Sequence, residues 1–168
     1  GEEGKGFRYI LDGMNAERIL IASECIGDGR FFVDRASAYA KERDVRPWLF
    51  IVGDEFASMP GGMSYAQVQQ AVPHSARVVS DPPRVLDLDL ARQHVAALDG
   101  LPRPTLVSCR AGPRSSAVAY MYAGLKAGAT PDDVISAAER DEAPFCAFEE
   151  SKDWVRSSMQ ALAGQAGA

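Results

Sequence analysis

The 168-residue chain has three cysteines, two histidines and no apolar run near the roughly 18 residues that span a bilayer. Cys25, Cys109 and Cys146 are odd in number and far apart. They predict neither a disulfide framework nor a paired-thiolate metal site, and a reducing, cytoplasmic setting is the expectation. His74 and His94 stand alone, with His94 read onto a polar helix face beside Arg92 and Gln93, so no metal is expected. Positive charge is also short, since 18 Lys and Arg against 23 Asp and Glu leave −5. That balance disfavours a nucleic-acid partner. The opening GEEGKGFRY lacks the basic flank and apolar stretch of a signal peptide, so neither secretion nor a membrane partner is expected.

What is present, 46% apolar and 24% charged residues, supports one core-forming domain or a small domain with an appendage. The chain reads as two unlike pieces. Residues 1–45 are helical, with Asn15 as a candidate cap and an apolar stripe at Ile19, Leu20, Ile26 and Phe31. Gly27 and Gly29 weaken the middle of that helix. Arg46-Pro47 then stops any helix, and residues 46–163 alternate apolar strands with helices. WLFIV (48–52), ARVVS (76–80) and PTLVS (104–108) read as strands. Helices are expected after Ser64, over 87–98, after Cys109, after Thr130-Pro131-Asp132-Asp133, and over 148–162, where Trp154, Val155, Met159 and Leu162 share helical spacing. The fold class predicted is α/β, a small, partly parallel sheet flanked by helices, with an N-terminal helical segment and a frayed tail at 164–168.

The strongest chemical signal is Cys109-Arg110-Ala111-Gly112-Pro113-Arg114-Ser115-Ser116. A cysteine directly after a strand, followed by a glycine-containing loop and a helix, sits where backbone N–H groups and a helix N-terminus converge. That setting favours a thiolate, and Arg114 adds a fork of donors matched to an oxyanion. Residues 110–114 therefore read as an anion cradle, with Gly112 free to take positive φ. Ser115 and Ser116 can cap the helix or bond the thiolate. A buried, inert strand-end cysteine is the alternative.

The stretches SDPPRVLDLD and PTLVSCRAGPRSSAVAYMYAGLKAG resemble the cysteine-dependent dual-specificity phosphatases. They resemble most the beta-lactamase-hydrolase-associated phosphatase-like family, over about residues 48–160. The resemblance implies a protein tyrosine phosphatase-like fold and hydrolysis of a phosphate monoester through a phosphocysteine. It casts Cys109 as nucleophile, Arg114 as clamp, Ser115 as helper in hydrolysis of the intermediate and Asp81 as general acid. It implies a phosphorylated substrate or other small oxyanion and no cofactor. As a plain sequence feature, Asp81 before Pro82-Pro83 also reads as a turn residue, and Asp87 and Asp89 read as helix caps. The chain departs from the pattern in having Ser108 for the usual histidine, one loop residue fewer, and no trace of a further strand and helix upstream. The six-residue C-x-x-G-x-R loop is similar to that of rhodanese-type sulfurtransferases, where the cysteine carries a persulfide.

GKGFRYILDGMNAERILIASECIGDGRFFVDRASAYAKER resembles the start of the C-terminal helical domain of flavin-dependent acyl-CoA dehydrogenases, through about Arg43. The resemblance implies a mitochondrial setting if the source is eukaryotic. The flavin-contacting arginine and catalytic glutamate of those enzymes have no counterpart before the sequence turns into RPWLFIV. An inactive fused remnant, or an interaction protein whose helix pairs with a second copy, is therefore a further reading. Cys146 is expected half-buried, with a role in resolving an oxidised Cys109 left open.

Overall fold

The computed structural model describes residues 1–59 and 62–164. Residues 165–168 of the expected tail lie outside the described residues, as does Gly61, which with Gly62 forms a glycine pair ahead of Ser64 in the sequence. The chain divides into two compact units, Gly1–Asp44 and Val45–Ala168.

The first unit is a single helix, α1 (Gly6–Glu42), 37 residues long, with none of them buried. Asn15 does not cap it, because nothing between Gly6 and Asn15 breaks a helix and the turn propagates back to Lys5. Instead the Asn15 Oδ1 accepts from Arg18 Nη1 at 3.5 Å inside the helix. Around Gly13, Gly27 and Gly29 there is open space within the unit, so these glycines serve no close approach there. Each weakens the helix by about 1 kcal/mol relative to alanine.

The second unit is α/β. Three short strands, β1 (Trp48–Phe50), β2 (Ser75–Arg77) and β3 (Leu106–Ser108), form a sheet in the order β2-β1-β3. Both pairings are parallel, with Leu49 opposite Ala76 and Val107. The sheet is thus wholly parallel rather than partly so, and each strand is shorter than its apolar run. Ile51, Val52 and Val78 lie past the strand ends yet remain buried, and the Ile51 and Val78 N–H groups still donate to the Ser108 and Phe50 carbonyls, each at 3.1 Å.

Burial on both faces explains the continuous apolar run of the central strand. On one face Leu49 and Ile51 join a core with α3 (Leu88–Asp99), α4 (Pro113–Ala127), α5 (Pro131–Arg140) and α6 (Glu149–Ala163). Trp154, Val155 and Met159 are buried in that core, with Leu162 packed at its margin. On the other face Phe50 and Val52 pack with Val68 of α2 (Tyr65–Ala71), and the Phe50 ring stacks on Tyr65 at 6.0 Å. Each such side chain stabilises the fold by about 1.5–3 kcal/mol on burial.

The helix starts follow their sequence signals. Ser64 forms a capping box with Gln67, Asp87 accepts from the Leu90 N–H at 2.7 Å, and Thr130 accepts from the Asp133 N–H. Each such cap is worth about 1 kcal/mol.

Candidate functional site at the carboxyl edge of the sheet

Three parallel strands deliver their carboxyl ends to one edge, the place where open α/β sheets bind ligands. After β1 come Gly53 and the 3₁₀ turn Asp54–Ser58, after β2 comes Asp81, and after β3 comes Cys109. The Trp48 indole N–H donates to Ser108 Oγ at 2.6 Å. Ser108 thereby ties the strand bearing the cysteine to the central strand.

The Cys109 sulfur lies inside its own loop. It accepts from the Gly112 N–H at 3.1 Å and the Ser115 N–H at 3.4 Å, and Ser115 Oγ stands 3.3 Å away. Ser115 Oγ in turn donates to the Gly112 carbonyl at 3.1 Å. This closure requires Gly112 to take φ +106° at the start of α4, a conformation side-chain-bearing residues resist. Burial is the largest single influence on the thiol and pushes its pKa up. The Ser115 hydroxyl and the N–H groups of Ser115, Ala111 and Gly112 together outweigh it and hold Cys109 below the ordinary thiol value. Hydrogen bonds to the charged form are the cause.

The other residues singled out in the sequence fall around this ring. Pro113 opens α4, and its carbonyl accepts from Ser116 Oγ at 3.0 Å. Ser116 Oγ also accepts from the Phe145 N–H at 3.3 Å, which seats the Pro144–Ala147 turn against the loop. Arg114 Nη1 is buried without a protein partner among the described residues. Arg110 is exposed and faces a neighbouring cavity of about 300 Å³, lined also by Glu55, Phe56, Met59, Asp81 and Pro82. Asp81 Oδ2 accepts from the Gly53 N–H at 2.9 Å, which pins the end of β2 to the end of β1. Asp87 caps α3, as expected, and Asp89 receives Arg84 at 3.0 Å.

His94 is the clearest departure from the sequence reading. It is fully buried, not on a polar face, and its Nε2 lies 2.7 Å from Ser80 Oγ. Desolvation, the largest influence, lowers its pKa to about 4. The Leu90 carbonyl works against that shift, and the positive charges of Arg114 and Arg84 add to it. Cys146 is partly buried and packs at the margin of the main core. Burial and the Glu139 carboxylate raise its pKa. The cavity residues Glu55, Phe56 and Met59 were not singled out in the sequence. The signal that locates them is position, directly after the first strand of a parallel sheet.

Among the described residues no three His, Cys, Asp or Glu side chains gather as a metal site, and no helix is long and apolar enough to cross a membrane. Nor do residues 1–44 fit a flavin. Their one helix buries none of its own residues, so it walls off no apolar slot for an isoalloxazine ring.

Residues 4–59 match the family of the acyl-CoA dehydrogenase C-terminal domain. A curated relative, cyclohex-1-ene-1-carbonyl-CoA dehydrogenase of Syntrophus aciditrophicus (strain SB), is 36% identical over 44 residues. That stretch is 26% of this chain and only 11% of the relative. No solved structure matches the chain. These findings correct the hydrolase and phosphatase reading, since the similarity found is to an acyl-CoA dehydrogenase and not to a phosphatase. The dehydrogenase-like fragment stands, and so, in coarse terms, does an α/β fold with a small parallel sheet.

Proposed function

We propose that this is a two-part protein in which the acyl-CoA-dehydrogenase-like helix mediates association and catalyses no dehydrogenation, while the α/β unit supports thiolate chemistry at Cys109. The first half of this reading rests on α1, a 37-residue helix that buries none of its residues. Ile19 is 69% exposed and Ile26 60%, beside Leu20 and Phe31. Such a surface is covered by packing against another helix. A second copy of the same helix is the occupant we infer, since Ile19, Ile26 and Val33 recur at the seven-residue spacing that lets two helices pack in register. Sedimentation equilibrium is expected to give a dimer that Ile19→Glu with Ile26→Glu reduces to a monomer. A monomeric wild type overturns it.

The second half is carried by one observation, the closure of the Gly112 and Ser115 donors around the Cys109 sulfur. A ring of donors hydrogen-bonded to Sγ suits a thiolate that takes up a sulfur atom and leaves again as thiolate. The reading is a rhodanese-type sulfur transfer from a sulfur-containing oxyanion. The Cys109 thiolate attacks the outer sulfur of thiosulfate, a new S–S bond forms, and sulfite leaves with the electron pair. Cyanide then takes that sulfur as thiocyanate and returns the thiolate, so no oxidant or reductant is consumed. Arg114, whose buried Nη1 has no protein partner, supplies positive charge for the arriving oxyanion. Cys109-dependent thiocyanate formation from thiosulfate and cyanide, abolished in Cys109→Ser, is the expected result. No thiocyanate from the wild type, or equal rates from Cys109→Ser, overturns it.

A further inference from the structure

The cavity beside the Cys109 loop carries opposite charges that neighbouring residues leave unsatisfied. Among the described residues neither the Glu55 carboxylate nor the Arg110 guanidinium has a hydrogen-bond or ion-pair partner, though both line one cavity of about 300 Å³. Asp81, on the same wall, gives one oxygen to the Gly53 N–H and keeps the other. Gly53 lies against the Glu55 carboxylate. A Cβ there would stand 2.4 Å from both Glu55 carboxylate oxygens, so any other residue would displace that side chain. The remaining lining, Phe56, Met59 and Pro82, is apolar, and the Met59 thioether adds a soft, polarizable surface.

We propose that this cavity binds a small sulfur-containing α-amino acid as the zwitterion, its carboxylate on Arg110 and its ammonium on Glu55 and Asp81. A simple anion would meet two carboxylates, and a simple cation would meet Arg110. A zwitterion satisfies both signs at once, with its side-chain methylene against Phe56 and Met59. The volume stands at the lower end of the range of roughly 300–1,000 Å³ typical of small-molecule sites, more room than an inorganic oxyanion fills. Arg110 directly follows Cys109 in the chain, so a carboxylate held there places the ligand beside the thiolate loop. As a step, the inference rests on the sulfur-transfer reading: the ligand thiolate attacks the outer sulfur of the Cys109 persulfide. The new S–S bond forms as the bond to Sγ breaks, and Cys109 leaves as thiolate with its electron pair. The binding itself does not depend on that reading.

The test is calorimetric titration of the full chain with S-methylcysteine, which has no thiol and cannot react. The wild type and Cys109→Ser are expected to bind it equally. N-acetylation or esterification of the ligand is expected to weaken binding about tenfold each, as are Glu55→Gln and Arg110→Gln, since each removes one charged contact. Sulfur transfer from thiosulfate to cysteine should then outpace transfer to N-acetylcysteine and to cysteamine. Absence of S-methylcysteine binding, equal binding of the three analogues, or indifference to both substitutions overturns the inference. Zwitterion binding with this pattern but without sulfur transfer keeps the cavity and removes the sulfur-transfer reading. Transfer to cyanide without discrimination among ligands does the reverse.

Discussion

The imidazole Nε2 of His94 lies 2.7 Å from the hydroxyl of Ser80, and both side chains are buried. This pair fastens α3 to the segment that ends in Asp81, because the Ser80 N–H also donates to the Ile51 carbonyl at 3.2 Å. The carboxyl edge of the sheet is thus anchored from behind by a neutral histidine.

That neutrality makes stability depend on pH. The His94 pKa falls from 6.5 to about 4 on folding, so between those values the unfolded chain binds the extra proton. Stability therefore rises with pH through this window and is lost as pH falls from 6.5 towards 4. The loss amounts to about 3 kcal/mol. Urea unfolding of the wild type and of His94→Gln at pH 7 and 4.5 isolates the effect. The gap in pH sensitivity between the two should be of that order, and equal sensitivity would sink the assignment.

The Ser115 hydroxyl is the largest of the influences that lower the Cys109 pKa. Ser115→Ala keeps the Ser115 N–H and the loop backbone while removing that hydroxyl. The pH midpoint for alkylation of Cys109 by iodoacetamide is expected to move up, with less thiolate at neutral pH. An unchanged midpoint would mean the backbone donors alone set the thiol's acidity.

How far the sequence carries differs between local and long-range features. Thr130-Pro131-Asp132-Asp133, Ser64 with Gln67, and Asp87 all start helices where they were expected to, because a cap is decided within four residues. Asn15 failed as a cap for want of any break before it. Strand ends were overestimated because Ile51 and Val52 stay buried beyond Phe50, where β1 ends. His94 was misplaced by reading its neighbours Arg92 and Gln93, whereas Leu90, His94 and Leu98 recur one helical turn apart and share the buried face. The loop closing on Cys109 was legible from glycine and serine spacing. The cavity was not, since Glu55 and Arg110 meet only through the parallel sheet. The phosphatase reading leaned on the loop pattern, on Asp81-Pro82-Pro83 upstream of it and on the helix that follows, and the family match fell on residues 4–59 instead.

At Gly124, α4 packs against both α5 and α6. A Cβ there would stand 2.3 Å from Val134 Cγ2 and 2.9 Å from Met159 Cε. Gly124→Ala must push both buried side chains aside, at about 1–3 kcal/mol. A lowered thermal midpoint is the expected readout, and Gly124→Ala with Val134→Ala should recover part of it. Wild-type stability in the single variant would show that these helices are not packed this closely.

Gly112 answers for backbone and contact together, and two substitutions separate them. Its φ of +106° disfavours any side chain, and a Cβ would also meet Pro144 Cγ at 3.3 Å. Gly112→Ala should therefore cost about 1–3 kcal/mol of strain or release the loop from its closed form. Release withdraws the Gly112 N–H from Sγ and moves the Cys109 alkylation midpoint upward. Adding Pro144→Ala removes the steric contact but leaves φ untouched, so the double variant should stay impaired in thiol reactivity. Restoration of reactivity by Pro144→Ala would assign the requirement for glycine to crowding by the Pro144–Ala147 turn. An unaltered midpoint in Gly112→Ala itself would show that the thiolate does not depend on this loop conformation at all.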